Sequence, residues 1–217
     1  IQVCSQGVSV VSCLFFSNSK YMRLLLAVLL VATSTACAQP LPDAIPVKSQ
    51  VNWATPVKQN ANLYRIDDKL YRSEQLTAKD AEIIATLGIK SVVNLRYFSR
   101  KKNQSALSNT DITLLNRPLL TWNIRPEQIA ETLYLIEQQQ KYGPVLVHCY
   151  HGADRTGLIS GMYRIIFHGW SIDAAKAEMQ KGPYGYHSVW KNIERLFTEN
   201  TVQQVRMHLN ALHAKAP

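Results

Sequence analysis

Residues 145–157 read Val-Leu-Val-His-Cys-Tyr-His-Gly-Ala-Asp-Arg-Thr-Gly. The apolar run Val145-Leu146-Val147 has the length and β-branched content of a buried strand. On the far side, Leu158, Ile159, Met162, Ile165 and Ile166 recur at helical spacing until Gly169 stops them. Gly152 and Gly157 flank the turn between the two. A loop entering a helix from a strand aims its backbone N–H groups inward. With the helix dipole behind them, they make a cradle for an anion.

That cradle predicts chemistry. Cys149 falls at its floor, and the converging N–H groups, the dipole and Arg155 all favour the thiolate, which is the nucleophilic form. A thiolate can attack phosphorus in line and form a phosphocysteine. Arg155 offers a planar fork to two phosphate oxygens, a geometry that lysine lacks. The loop residues Tyr150, His151, Gly152, Ala153, Asp154 and Arg155 are the expected phosphate-binding set. Thr156 is expected to donate its hydroxyl to the sulfur, and His148 to orient the loop through its ring nitrogens. A cysteine followed six residues later by arginine is weak alone; the strand, the glycines and the helix around it make the pattern specific. No ligand cluster with zinc spacing accompanies His148 and His151, so neither a metal nor another cofactor is expected.

Working outward, the body alternates strands and helices. Leu63–Ile66 and Lys69–Arg72 flank Asp67-Asp68 and read as a hairpin. Thr77 with Asp80 three residues on is a capping box, ahead of a helical face of Ile83, Ile84 and Leu87 closed by Gly88. Residues 91–95 and 112–115 are strand candidates, and 97–104 reads as a polar basic loop. Pro126 opens a helix whose apolar face is Ile129, Leu133 and Ile136, and Gly143-Pro144 ends it. Ser171 caps another helix through Met179. After Gly182-Pro183-Tyr184-Gly185 come one or two helices, with Val189, Ile193, Leu196 and Phe197 on one face. Such alternation predicts an α/β fold, a central and mostly parallel sheet flanked by helices. His187 and Trp190 read as packing or rim residues. Arg100, Lys101 and Lys102 read either as a solvated face or as a charged lip for a phosphorylated substrate.

HCYHGADRTG at 148–157 resembles the signature loop of the cysteine-dependent protein tyrosine phosphatase superfamily, nearest to its dual-specificity branch. LYRSEQLTAKDAEIIATLGIKSVVNLR (70–96) and PVLVHCYHGADRTGLISGMYR (144–164) resemble the two halves of the atypical dual-specificity phosphatases of plants and fungi. The likeness runs from about Asn62 to Phe197. It implies the protein tyrosine phosphatase fold, cofactor-free hydrolysis of phosphomonoesters, Cys149 as nucleophile and Arg155 as phosphate clamp. Members usually carry an aspartate general acid roughly thirty residues before the cysteine. Here that stretch is Arg117-Pro118-Leu119-Leu120-Thr121-Trp122-Asn123, with no acid. Asp154 is the substitute candidate, since an Asp next to the loop arginine also occurs in myotubularin-like and Sac-type phosphoinositide phosphatases; the other reading of Asp154 is a structural hydrogen-bond acceptor. Protein phosphotyrosine, phosphoinositide or inositol phosphate substrates all remain open, as does a phosphate-binding module without turnover.

The front of the chain reads differently. Met22-Arg23, the apolar run Leu24–Ala32 and the small residues to Ala38 describe a secretory signal peptide (22–38), preceded by an upstream segment. Cleavage is expected before Gln39, or before an acylated Cys37 that would anchor the protein to a membrane. Either reading makes the protein exported, periplasmic or lipoprotein-anchored. Residues 39–58, with Pro40, Pro42, Pro46 and Pro56, read as a linker to a single domain at 59–217. The 217 residues carry 24 basic and 15 acidic side chains. Lys20 and Arg23 are the only charges in the first 38, so the remainder is net +7, a balance suited to an anionic substrate. The 47% hydrophobic content excludes a disordered chain, and no interleaving of aromatic and basic residues points to nucleic acid. A monomer is expected. Of four cysteines, three lie in the first 37 residues, leaving Cys149 without a disulfide partner downstream.

Overall fold

The computed structural model describes residues 52–215. The expected signal peptide, the segment before it, Cys37 and most of the expected linker lie outside the described residues.

Six strands, β1 (Thr55–Lys58), β2 (Leu63–Arg65), β3 (Leu70–Ser73), β4 (Ser91–Arg96), β5 (Thr113–Leu119) and β6 (Val145–His148), form one sheet in the order β1-β2-β3-β6-β4-β5. β3, β6, β4 and β5 run parallel, while β1 and β2 join antiparallel at one edge. The helices are α1 (Ala81–Thr86), α2 (Lys102–Ala106), α3 (Pro126–Gln139), α4 (Asp154–Phe167), α5 (Ile172–Lys181), α6 (Lys191–Glu194) and α7 (Glu199–Lys215).

Residue alternation along the central strands explains how two faces are covered. Val93 and Leu95 of β4, with Val145 and Val147 of β6, face a large core built with Ile129, Leu133 and Ile136 of α3 and Leu158, Ile159 and Met162 of α4. Val92 and Leu146 point the other way, into a smaller core with Leu63, Ile84 and Leu107. Side chains on a strand alternate faces. The same pleat therefore sends His148 toward the small-core side, while Cys149 joins the large core.

Local signals set several boundaries. Thr77 and Asp80 form the expected capping box. Pro126 stands in the first turn of α3, and the Ser171 hydroxyl accepts the Ala174 N–H to start α5. In the hairpin, Asp67 Oδ1 accepts the N–H groups of Lys69 and Leu70, both at 2.7 Å. No helix among the described residues is long and apolar enough to cross a membrane.

Four expectations need correction. Thr55–Lys58, assigned to the linker, is an edge strand, a position that tolerates Pro56 because one side of β1 needs no ladder donor. The strand after Asp111 runs on to Leu119, and its Pro118 is admissible for the same reason, since β5 is the other edge. The basic loop at 97–104 contains the start of α2, whose Asn103 is buried. Val189 is 75% exposed and precedes a four-residue α6, so it shares no helical face with Ile193 and Phe197.

Candidate active site

The β6–α4 junction holds Cys149 at 2% exposure. Tyr150 and His151 point outward, Gly152 and Ala153 are buried, and α4 begins at Asp154. Gly152 has φ +72°, and a Cβ there would lie 2.6 Å from the Ser73 and Glu74 backbone. Only glycine fits such a turn against such a wall. The Arg155 guanidinium reaches across the carboxyl ends of two strands, donating at 3.4 Å to the carbonyls of Leu95 and Leu119.

His148 is fully buried at the end of β6. Its Nδ1 lies 2.9 Å from the Cys149 carbonyl, and its Nε2 lies 2.8 Å from Asn103 Nδ2. The chain of bonds continues outward. Gln75 Nε2 donates to Asn103 Oδ1 at 2.8 Å, and Arg96 Nη1 donates to Gln75 Oε1 at 2.6 Å. A guanidinium only donates, so each later group has a fixed role. Gln75 and Asn103 accept through oxygen and donate through nitrogen. His148 accepts at Nε2 and donates from Nδ1–H to the Cys149 carbonyl. Burial lowers the His148 pKa to about 4, with Arg96 and Arg155 acting in the same direction. The ring therefore stays neutral, as this relay requires.

His148, expected to orient the loop, is bonded to the Cys149 carbonyl and to Asn103. Its partners Gln75, Asn103 and Arg96 were not legible, since they come from three separate segments. Replacing Asn103 by leucine should leave His148 Nε2 unpaired and cost about 1–3 kcal/mol of stability. Thermal unfolding measures that cost, and an unchanged melting temperature would contradict the relay.

Two further arginines lie close enough to Cys149 to feel its charge. Arg72 is buried, donates to the Gly152 carbonyl at 2.7 Å and stacks 3.7 Å over the Tyr184 ring. Burial lowers the pKa of Arg72, against the pull of Tyr184, Glu178 and Cys149. Arg96 is lowered by burial and by Arg155, against Tyr150 and Cys149. Neither belongs to the loop. Arg72 sits in the second of two Leu-Tyr-Arg triplets, and the first, ending at Arg65, is exposed there.

Asp154 is buried, and its carboxylate is occupied. Oδ1 accepts the His187 backbone N–H at 2.9 Å, and Oδ2 lies 2.9 Å from His187 Nδ1. His187, read from sequence as a rim residue, is thus part of the site. It lines, with Thr121, Tyr150, His151, Asp154, Arg155, Val189 and Trp190, a cleft of about 320 Å³. Trp190, the other expected rim residue, is in the wall. The stretch 117–123 contributes Thr121 to the cleft, and Leu120 and Asn123 pair across the turn there. It brings no carboxylate.

Thr156 departs from expectation. Among the described residues its buried Oγ1 has no hydrogen-bond partner, so the bond to the Cys149 sulfur is not formed. Sulfur is a weak hydrogen-bond acceptor, so little drives that contact. Two imidazoles and a carboxylate, His151, Asp154 and His187, lie within 4.8 Å of one another. Transition metals accept such donors, but here the His187 Nδ1 and the Asp154 carboxylate are spent on each other.

Residues 59–209 match the sequence model of the tyrosine phosphatase family. The chain belongs to that family. It is 33% identical over 165 residues to the dual specificity protein phosphatase TpbA of Pseudomonas aeruginosa, covering 76% of this chain and 74% of TpbA. A crystal structure of a Cys-to-Ser TpbA variant in complex with pTyr is 29% identical, with a TM-score of 0.68 over 75% of this chain and 98% of that one. The catalytic core of the PP-IP phosphatase SIW14 from S. cerevisiae shares the fold, with a TM-score of 0.53 at 20% identity over 73% and 96% of the two chains. The α/β architecture read from the sequence is that of this family, and the chain is a cysteine-dependent phosphatase.

Proposed function

We propose that the chain is an exported phosphatase that removes phosphate from protein phosphotyrosine through a phosphocysteine intermediate. One observation carries the reading: a buried cysteine and an arginine held at the junction of strand and helix, beneath a cleft with one carboxylate. Cys149 attacks phosphorus. The loop N–H groups of 150–155 and the Arg155 fork hold the equatorial oxygens, where charge is greatest in the transition state. Thr156 Oγ1, without another partner among the described residues, becomes a donor to the sulfur once it carries charge. Acid–base work falls to Asp154 and the imidazole it holds.

An aromatic phosphate is favoured because Tyr150 and Trp190 wall the cleft, and because similar TpbA has been solved with pTyr. The basic start, apolar run and small residues at 22–38 support export, with Cys37 as a possible acylation site for membrane anchoring.

A panel of a phosphotyrosine peptide, a phosphoserine peptide and inositol phosphates tests the substrate. We expect kcat/KM for phosphotyrosine to exceed that for phosphoserine at least about tenfold, or ~1.4 kcal/mol of transition-state discrimination. Faster release from inositol phosphates would move the reading to that class. Binding without release would make the chain a phosphate-binding module. Mass spectrometry of the mature chain tests export, and a start at Met22 would refute it.

A further inference from the structure

We propose that His187, held by Asp154, is the proton donor to the leaving group. This deepens the reading above and rests on it. The family's usual place for the acid is empty of carboxylates: of residues 117–123, the turn brings only Thr121 into the cleft. Among the described residues Asp154 is the one carboxylate in the cleft wall, but both its oxygens already accept from His187, Oδ1 from the backbone N–H at 2.9 Å and Oδ2 from Nδ1 at 2.9 Å. A carboxylate bonded to imidazole Nδ1 fixes the tautomer and ring direction, leaving Nε2 as the exchangeable atom. The ring lines the same cleft as Arg155 and is part exposed. His151 lies near it, at 5.0 Å between ring centroids, but among the described residues no carboxylate is hydrogen-bonded to the His151 side chain, so it lacks the orienting partner.

The step balances. In the loaded enzyme His187 carries protons on both nitrogens, Nδ1–H toward Asp154 and Nε2–H toward the leaving oxygen. The Cys149 thiolate forms the S–P bond as the P–O bond to the leaving group breaks. The Nε2 proton passes to that oxygen, releasing the alcohol or phenol and leaving neutral imidazole. Water then attacks phosphorus as Nε2 takes its proton, the S–P bond breaks, and phosphate and thiolate are restored. His187 is catalytic in this scheme, and Asp154 is a positioning residue.

The test compares phenyl phosphate, whose leaving group needs a proton, with 2,4-dinitrophenyl phosphate, whose leaving group does not. For His187→Gln, kcat/KM on phenyl phosphate should fall on the order of 10²–10³-fold, and on the dinitrophenyl ester less than about fivefold. His187→Asn should repeat the pattern. Asp154→Asn should show the same leaving-group selectivity with a smaller loss. Unchanged affinity for vanadate reports an intact anion cradle in each variant. Equal losses on both esters, or none, would overturn the assignment. So would selectivity in Asp154→Asn with full activity in both His187 variants, which would make Asp154 the donor. Selectivity confined to His151→Gln would move the role to His151. No turnover of either ester by the wild-type chain would instead overturn the phosphatase reading, and this assignment with it.

Discussion

Replacing Cys149 by serine is expected to abolish phosphate release while leaving phosphate affinity nearly unchanged. The two side chains differ by one atom, and the position is buried, so the fold should persist. The cradle is independent of the sulfur. Its backbone donors, Arg155 on the Leu95 and Leu119 carbonyls, and Arg72 on the Gly152 carbonyl all stay in place. What changes is the nucleophile. A cysteine sulfur is intrinsically a strong nucleophile, whereas a serine hydroxyl attacks only with an activating base. Loss of a nucleophile of this kind lowers kcat on the order of 10⁵–10⁶-fold. Stopped-flow release from an aryl phosphate, beside a phosphate or vanadate binding titration, separates the two effects. Retained turnover would sink the phosphocysteine scheme. Lost binding would mean that the sulfur, not the cradle, holds the anion.

The residues that make this prediction possible are local in sequence, and that is why they were legible. Val145–Val147, Cys149, Gly152, Arg155 and the helix through Phe167 form one continuous strand–loop–helix unit. Its hydrophobic period and its glycines announce both structure and chemistry. The alternation of apolar strands with amphipathic helices made a sheet covered on both faces readable as well. What stayed hidden is non-local. The partner of His148 is Asn103, 45 residues away, on a five-residue helix too short to show a period. The partner of Asp154 is His187, 33 residues on, in irregular chain after a glycine-proline turn. A lone histidine in a loop has no pattern around it to separate rim from site. Edge strands failed for another reason. Pro56 and Pro118 are breaker signals that carry weight in central strands, and nothing in the sequence marks β1 and β5 as edges.

Glu178→Ala is expected to destabilise the domain strongly. Glu178 sits on α5 at the centre of a buried cluster. Its Oε2 accepts Arg164 Nε at 2.7 Å, and Oε1 accepts Arg164 Nη2 at 2.9 Å, the Ala54 N–H at 2.7 Å and the Tyr184 hydroxyl at 3.1 Å. Both charged side chains are nearly inaccessible, 4% for Arg164 and 3% for Glu178. Burial pushes the Tyr184 phenol up, with Glu178 acting in the same direction, so it remains a donor. Removing the carboxylate leaves Arg164 charged and unpaired beneath Trp170, whose ring lies 4.1 Å away. It also strands the Ala54 N–H and the Tyr184 hydroxyl. Breaking one side of a buried pair costs about 3–5 kcal/mol. For a domain of this size, each kcal/mol lowers the melting temperature by about 2–4 °C, giving a fall of roughly 6–20 °C by calorimetry. The damage should reach the active site, because Tyr184 stacks under Arg72 and Arg72 holds the Gly152 carbonyl. A paired replacement separates charge from packing. If the loss arises from the orphaned guanidinium, Arg164→Met with Glu178→Leu should cost less than Glu178→Ala alone. A double variant as unstable as the single one would assign the loss to the bonds with Ala54 and Tyr184 instead.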